Sequence, residues 1–147
     1  MSMTTARQIA DYFLSKSRPE VGDTITHLKL QKLCYYAQGF HLALYDTPFF
    51  NEEIQAWDHG PVVVDLYKEF KKYNADPIPP VNPEKAASGL DERDRKLLDD
   101  VWLEYGQFSA WKLRALSHSE PPWKDAYPNG VITNEAMKEF FKTQVTV

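Results

Sequence analysis

Apolar residues return every three or four positions through most of this chain, the spacing that lines one face of a helix. Ile9, Ala10, Phe13 and Leu14 form the first such stripe, just after Thr5-Ala6-Arg7-Gln8. A threonine followed three positions later by glutamine is a capping box, each side chain satisfying the other's free backbone amide. Pro19 and Gly22 end this helix within residues 15–22. Thr26 is an N-cap for the next one, over residues 28–45, where Leu30, Leu33, Ala37, Phe40 and Leu44 repeat at helical spacing. Leu28, Tyr35 and Leu42 widen the apolar arc, so this helix is expected to be central and buried.

Pro48 stops the pattern, and residues 49–57 read as a short strand or hairpin. Gly60-Pro61 then supplies a flexible residue and a proline suited to the first position of a helix. Val63, Leu66, Tyr67 and Phe70 fit one face of that helix. Four prolines between Asn74 and Pro83 demand loop or extended chain. Asp91 caps a helix with Leu97, Leu98, Val101, Trp102 and Tyr105 as core positions, closed by Gly106. Ser109 opens a shorter helix containing Trp111, Leu113 and Leu116, followed by a loop at His118-Ser119-Glu120-Pro121-Pro122-Trp123. Thr133 or Asn134 caps a last helix with Met137, Phe140 and Phe141. The fold class expected is mainly α, a compact helical domain with one small antiparallel β element.

Composition narrows the functional classes. A chain of 147 residues is expected to be one domain, residues 1–147, large enough for its own core. Its formal charge of −4 argues against nucleic acid or an anionic membrane as main partner. Aromatics make up 14% of the chain, which favours an aromatic core, an interaction face, or both. Cys34 is the only cysteine, so no internal disulfide can form, and within a helical pattern it reads as a small hydrophobe. The opening Met1-Ser2-Met3-Thr4-Thr5-Ala6 lacks the basic-then-apolar plan of an export signal. No stretch reaches the roughly 18 apolar residues of a membrane span. A cytoplasmic protein without membrane anchoring is the expectation.

Candidate chemistry is sparse. His27, Cys34 and His41 fall seven residues apart on one helix face. At 1.5 Å rise per residue that spacing separates neighbours by about 10 Å, too far for shared metal ligation. Asp58-His59 and His118-x-Glu120 are carboxylate–histidine pairs that two converging loops could bring together for acid–base work. Each histidine could equally bond a nearby helix end. Lys29 and Lys32 precede Tyr35-Tyr36, an interleaving that can bind nucleic acid. Lysines at a helix start on an acidic protein are more often solvated, and the tyrosines fit the core stripes. Trp57 and Trp123 each flank a proline-containing turn, where tryptophan serves either core or interface.

Four motifs in fixed order carry a resemblance. They are Leu28-Lys29-Leu30-Gln31-Lys32-Leu33, Tyr35-Tyr36-Ala37-Gln38, Trp57-x-x-Gly60-Pro61-Val62 and Ser117-His118-x-Glu120-Pro121-Pro122-Trp123. The chain resembles, over residues 5–141, the Panacea domain family, the SocA-like antitoxins that include phage-associated proteins. The resemblance implies a mainly helical domain with a small sheet that neutralises a cognate protein toxin by direct, stoichiometric binding. A second mode it implies is that of a proteolytic adaptor delivering the toxin to a ClpXP-type protease. A hydrolase built on His59 and His118 with Asp58 or Glu120 is the reading from a different class. No catalytic residue, metal or cofactor is expected. The residues expected to line or shape the toxin contact are Trp57, Asp58, His59, Gly60 and Pro61. Lys29, Gln31, Lys32 and Tyr36 make a second group.

Overall fold

A computed structural model describes residues 4–145; the first three positions of the stretch read for an export signal lie outside them. Among the described residues there are eight α-helices and one two-stranded antiparallel sheet. The first helix, α1 (Ala6–Leu14), starts at the expected capping box. The Thr5 hydroxyl accepts from the Gln8 amide at 3.1 Å, and the Gln8 side chain accepts from the Thr5 amide at 2.8 Å. Its inner face buries Ile9, Ala10, Phe13 and Leu14.

The long helix α2 (His27–Tyr45), capped by Thr26, is the centre of the molecule. Most of the other helices pack on it, and the residues 29–39 are buried around its whole circumference. Burial on all sides includes polar groups, which must then find partners inside. Gln38 does so by donating to the Phe50 carbonyl at 2.8 Å and accepting from the Phe49 amide at 2.7 Å. Gln31 accepts from the Val63 amide at 2.8 Å. These two side chains tie the segment after Pro48 back along the helix it has just left.

That segment forms β1 (Ile54–Trp57) and β2 (Gly60–Val63), paired in register from Trp57↔Gly60 to Ile54↔Val63. The hairpin departs from the expectation that Gly60-Pro61 opens a helix. Ala56 sends its N–H to the Gly130 carbonyl and its C=O to the Asn129 amide, both away from β2. Pro61, opposite Ala56, therefore sits where no ladder donor is needed. The helix α3 (Val64–Phe70) begins only after the strand, with Val63 as its N-cap residue.

After the proline-rich loop comes a short helix the sequence reading did not include, α4 (Pro83–Ala87), capped by Asn82. The helices α5 (Glu92–Tyr105) and α6 (Ala110–His118) start at Asp91 and Ser109 as expected. The stretch read as a loop after His118 turns at Ser119-Glu120 and becomes α7 (Pro121–Ala126), with proline at its first position. The helix α8 (Asn134–Lys142), capped by Thr133, lies along α2. Phe141 of α8 packs edge-on against Tyr35, Tyr36 and Phe40.

One expected core residue, Leu44, lies outside it, and so does Trp111. Leu44 is 46% exposed at the end of α2, where the neighbouring helices no longer cover it. Trp111 is 73% exposed, because α6 turns Leu113 and Ser117 inward and leaves that side of the helix to solvent.

Close contact between α2 and α8 depends on Gly39, whose missing side chain leaves room for the Phe141 ring. Alanine ordinarily improves a helix interior by about 1 kcal/mol over glycine. Here the added methyl runs into a buried ring, so Gly39→Ala is expected to destabilise by about 1–3 kcal/mol. The urea midpoint checks the sign.

Candidate functional site

The hairpin tip is the turn Asp58-His59, and both residues are exposed. Gly60 closes it with φ 112°, a backbone conformation that other residues rarely adopt. The tip is clasped by α6 and α7. Trp123 donates its indole N–H to the Trp57 carbonyl at 2.8 Å, and Arg114 Nε donates to the Asp58 carbonyl at 3.2 Å. The Tyr127 hydroxyl donates to the Asp58 carboxylate. His118, Trp123 and Tyr127 stack in a row, with ring centroids 3.9 and 4.5 Å apart. Trp57 packs its ring edge against Tyr67 at 4.9 Å and donates to Gln55 at 2.9 Å.

Of the second group of predicted site residues, Lys32 lies beneath this turn and Gln31 reaches the end of β2, whereas Lys29 runs to Gly106 and Tyr36 to Glu120. Lys29, Gln31, Lys32 and Tyr36 are buried, which corrects the expectation that the lysines are solvated. The physical reason is that α2 has no solvent side over residues 29–39. Lys29 reaches across to the Gly106 carbonyl at 2.6 Å and lies over the Trp102 ring. Lys32 is 1% exposed and packs under Gly60: a Cβ there would stand 2.9 Å from Lys32 Cε and 3.0 Å from Ser117 Oγ. Gly60 is thus required by both its φ and its neighbours.

Glu120 lies on the far side of the same junction. Its two carboxylate oxygens accept from the Tyr35 and Tyr36 hydroxyls, each at 2.9 Å. Burial pushes its carboxyl up to about 7 against the pull of those two hydroxyls. Burial likewise pulls the Lys32 ammonium down to about 7, helped by the nearby charge of Arg114.

The two carboxylate–histidine pairs do converge, though not as an acid–base couple. His118 meets the Asp58 backbone, while the Asp58 carboxylate goes to Tyr127 and the Glu120 carboxylate to the two tyrosines. The line of His27, Cys34 and His41 serves packing. His27 lies against Tyr67, Cys34 is fully enclosed with its thiol pushed up by burial, and His41 stacks on Phe49. Among the described residues, no three His, Cys, Asp or Glu side chains gather to hold a metal ion. No helix among them is long and apolar enough to cross a membrane.

Sequence reasoning missed Arg114, Ser117 and Tyr127 as parts of the clasp, and Glu120 as the partner of Tyr35 and Tyr36. The available signal was the position of Ser117, a small residue beside His118 in a motif of large ones.

A small helical domain built on one central, largely buried helix, with an exposed turn clasped by two others, defines the class. The chain belongs to the antitoxin SocA-like, Panacea domain family, whose pattern matches residues 30–124. It is similar to Antitoxin SocA of Caulobacter vibrioides (strain NA1000 / CB15N). Identity is 34% over 141 residues, taking in 88% of this chain and 73% of that protein. No solved structure matches the chain.

Glu120 and Lys32 make opposite pH signatures. The folded protein holds the Glu120 proton more tightly than the unfolded chain does. That stability is complete below the ordinary value of 4.5 and lost as pH rises to about 7. The folded Lys32 gives up its proton near 7 while the unfolded amine keeps it to 10.5, so stability returns over that alkaline window. The urea midpoint of wild type minus Glu120→Gln is expected to fall between pH 4.5 and 7. Wild type minus Lys32→Met is expected to rise above pH 7.

Proposed function

We propose that this protein is a stoichiometric antitoxin that binds its cognate protein toxin directly through the face carrying the Asp58-His59 turn. The observation that carries the reading is the clasp. Four side chains from α6, α7 and the residue after it hold an exposed two-residue tip in one conformation. A rigid tip loses little freedom on association, so more of the contact energy appears as affinity.

The surface beside the tip has the residue types that dominate binding energy in protein interfaces, Trp, Tyr and Arg. Trp111 is exposed with the Arg114 guanidinium 5.0 Å over its ring, and Arg114 in turn touches the Asp58 carbonyl. Tyr127 is exposed on the other side of the tip. Trp57, Asp58, His59, Gly60 and Pro61 thus form the presented element in this reading. Lys32 packs beneath Gly60 and Gln31 holds the Val63 amide, so these two of the second group fix where it sits. A stable interface of this kind covers about 1,600 Å² in total, enough to take in the tip and both flanks.

The test uses the cognate toxin, identified by pull-down from the native host. Co-expressed Asp58→Ala, His59→Ala double variant is expected to lose rescue, and Trp111→Ala to weaken the purified complex at least tenfold, roughly the scale of a hot-spot truncation. Undiminished rescue by the double variant removes the turn from the contact. Titrating toxin with antitoxin is expected to give a sharp one-to-one endpoint, and neutralisation by substoichiometric amounts would show turnover instead.

A further inference from the structure

A cleft opens at the start of α6, between residues 22–24 and the end of α5. It holds about 560 Å³, within the range of sites that take a small ligand or a short stretch of chain. Trp102 and Phe108 give it an apolar lining, and so does Leu103, which is 75% exposed. The Trp102 ring is held in place. The Lys29 ammonium lies 5.4 Å over it, and Gly106 has no side chain to displace it, a Cβ there standing 2.5 Å from the ring.

Two groups of opposite charge share the cleft. Lys29 is buried, and of the three donors on its ammonium one goes to the Gly106 carbonyl at 2.6 Å. Asp23 bonds Arg18 through its backbone, and its carboxylate takes part in no ion pair among the described residues. Burial pulls the Lys29 ammonium below its ordinary value and the Asp23 carboxylate pushes it back up, so the two charges feel each other without pairing.

These charges select the occupant. An anion drawn to Lys29 meets Asp23, and a cation drawn to Asp23 meets Lys29, so a net charge gains little. A neutral group with one donor and one acceptor satisfies both. A residue of an extended chain turns its N–H and C=O to the same side, as it does toward a neighbouring strand. It can donate to Asp23 and accept from Lys29, while an apolar side chain beside it covers Trp102, Leu103 and Phe108.

We propose that this cleft is a docking site for an extended segment of a partner protein, bound by its backbone at Asp23 and Lys29 and by an apolar side chain on Trp102 and Phe108. The nine residues of α6 place it about 14 Å along the helix from the clasped end. The site rests on residues outside the clasp and does not depend on the toxin assignment.

The full chain, labelled with ¹⁵N, is titrated with each of three probes. N-acetyl-phenylalanine methylamide carries peptide groups and a ring, N-acetyl-glycine methylamide lacks the ring, and sodium hydrocinnamate carries the ring on a carboxylate. The first is expected to give saturating shifts at the amides of residues 22–24 and 102–109 and at the Trp102 indole N–H. It is expected to saturate at about tenfold lower concentration than either of the others, the scale of one buried side chain or one hydrogen bond to a charged group. Lys29→Met and Asp23→Ala are each expected to weaken its binding about tenfold. Asp23 is half-buried and keeps its backbone bridge as alanine, so Asp23→Ala carries the test even where Lys29→Met fails to fold. Tighter binding of hydrocinnamate would make the cleft an acid site, and an equal response to the glycine probe would remove the apolar anchor. Either overturns the proposal, as do shifts that never saturate or that Asp23→Ala leaves unchanged.

Discussion

The structure depends on two buried glutamine side chains of α2. Gln38 takes the amides and carbonyl of Phe49-Phe50, and Gln31 takes the amide of Val63. They lie seven residues apart, two turns of helix, so their attachments are about 10 Å apart along the axis. A buried amide left unpaired costs about 1–3 kcal/mol. The chain leaving α2 at Asp46 turns back and runs along the helix, where its amides reach the side-chain oxygens of both. The strands, their turn and the start of α3 inherit their positions from that requirement.

With the hairpin laid on α2, its tip projects toward the end of α6. The second half of the chain then closes on it from outside. Trp123, Arg114 and Tyr127 hold the tip through backbone and carboxylate, while Asn129, Gly130 and Ile132 pair with the outer edge of β1. The exposed turn is thus held from three sides by residues distant in sequence.

Beneath the tip the fold accepts electrostatic costs that an all-apolar junction would avoid. Lys32 is enclosed without a counter-ion, and Glu120 is enclosed with only tyrosine hydroxyls for partners. Replacing buried charges by apolar groups of similar volume is often neutral or stabilising. Their place in the junction between α2, the hairpin and α6 fits a demand other than stability. Membership of the antitoxin SocA-like, Panacea domain family supplies the functional setting for that demand.

By itself the sequence determined the local structure. Thr5, Thr26, Asp91, Ser109 and Thr133 each mark a helix start, because a short polar side chain satisfies amides within its own first turn. The helical spacing of Leu30, Leu33 and Ala37 likewise announced a buried helix. Tertiary structure decided what local pattern leaves undetermined. Gly60-Pro61 carries the signature of a helix start, yet pairing with Ala56 and Trp57 made it a strand. Lys29 and Lys32 look like surface residues, but the end of α5 covered the first, and α6 and the hairpin enclosed the second. Leu44 and Trp111 fit apolar stripes, and the absence of a covering element left them exposed. Capping acts within one turn of chain and is visible in a window of a few residues. Burial is settled by which distant segment arrives, here through Gln31 and Gln38, and so belongs to the whole fold.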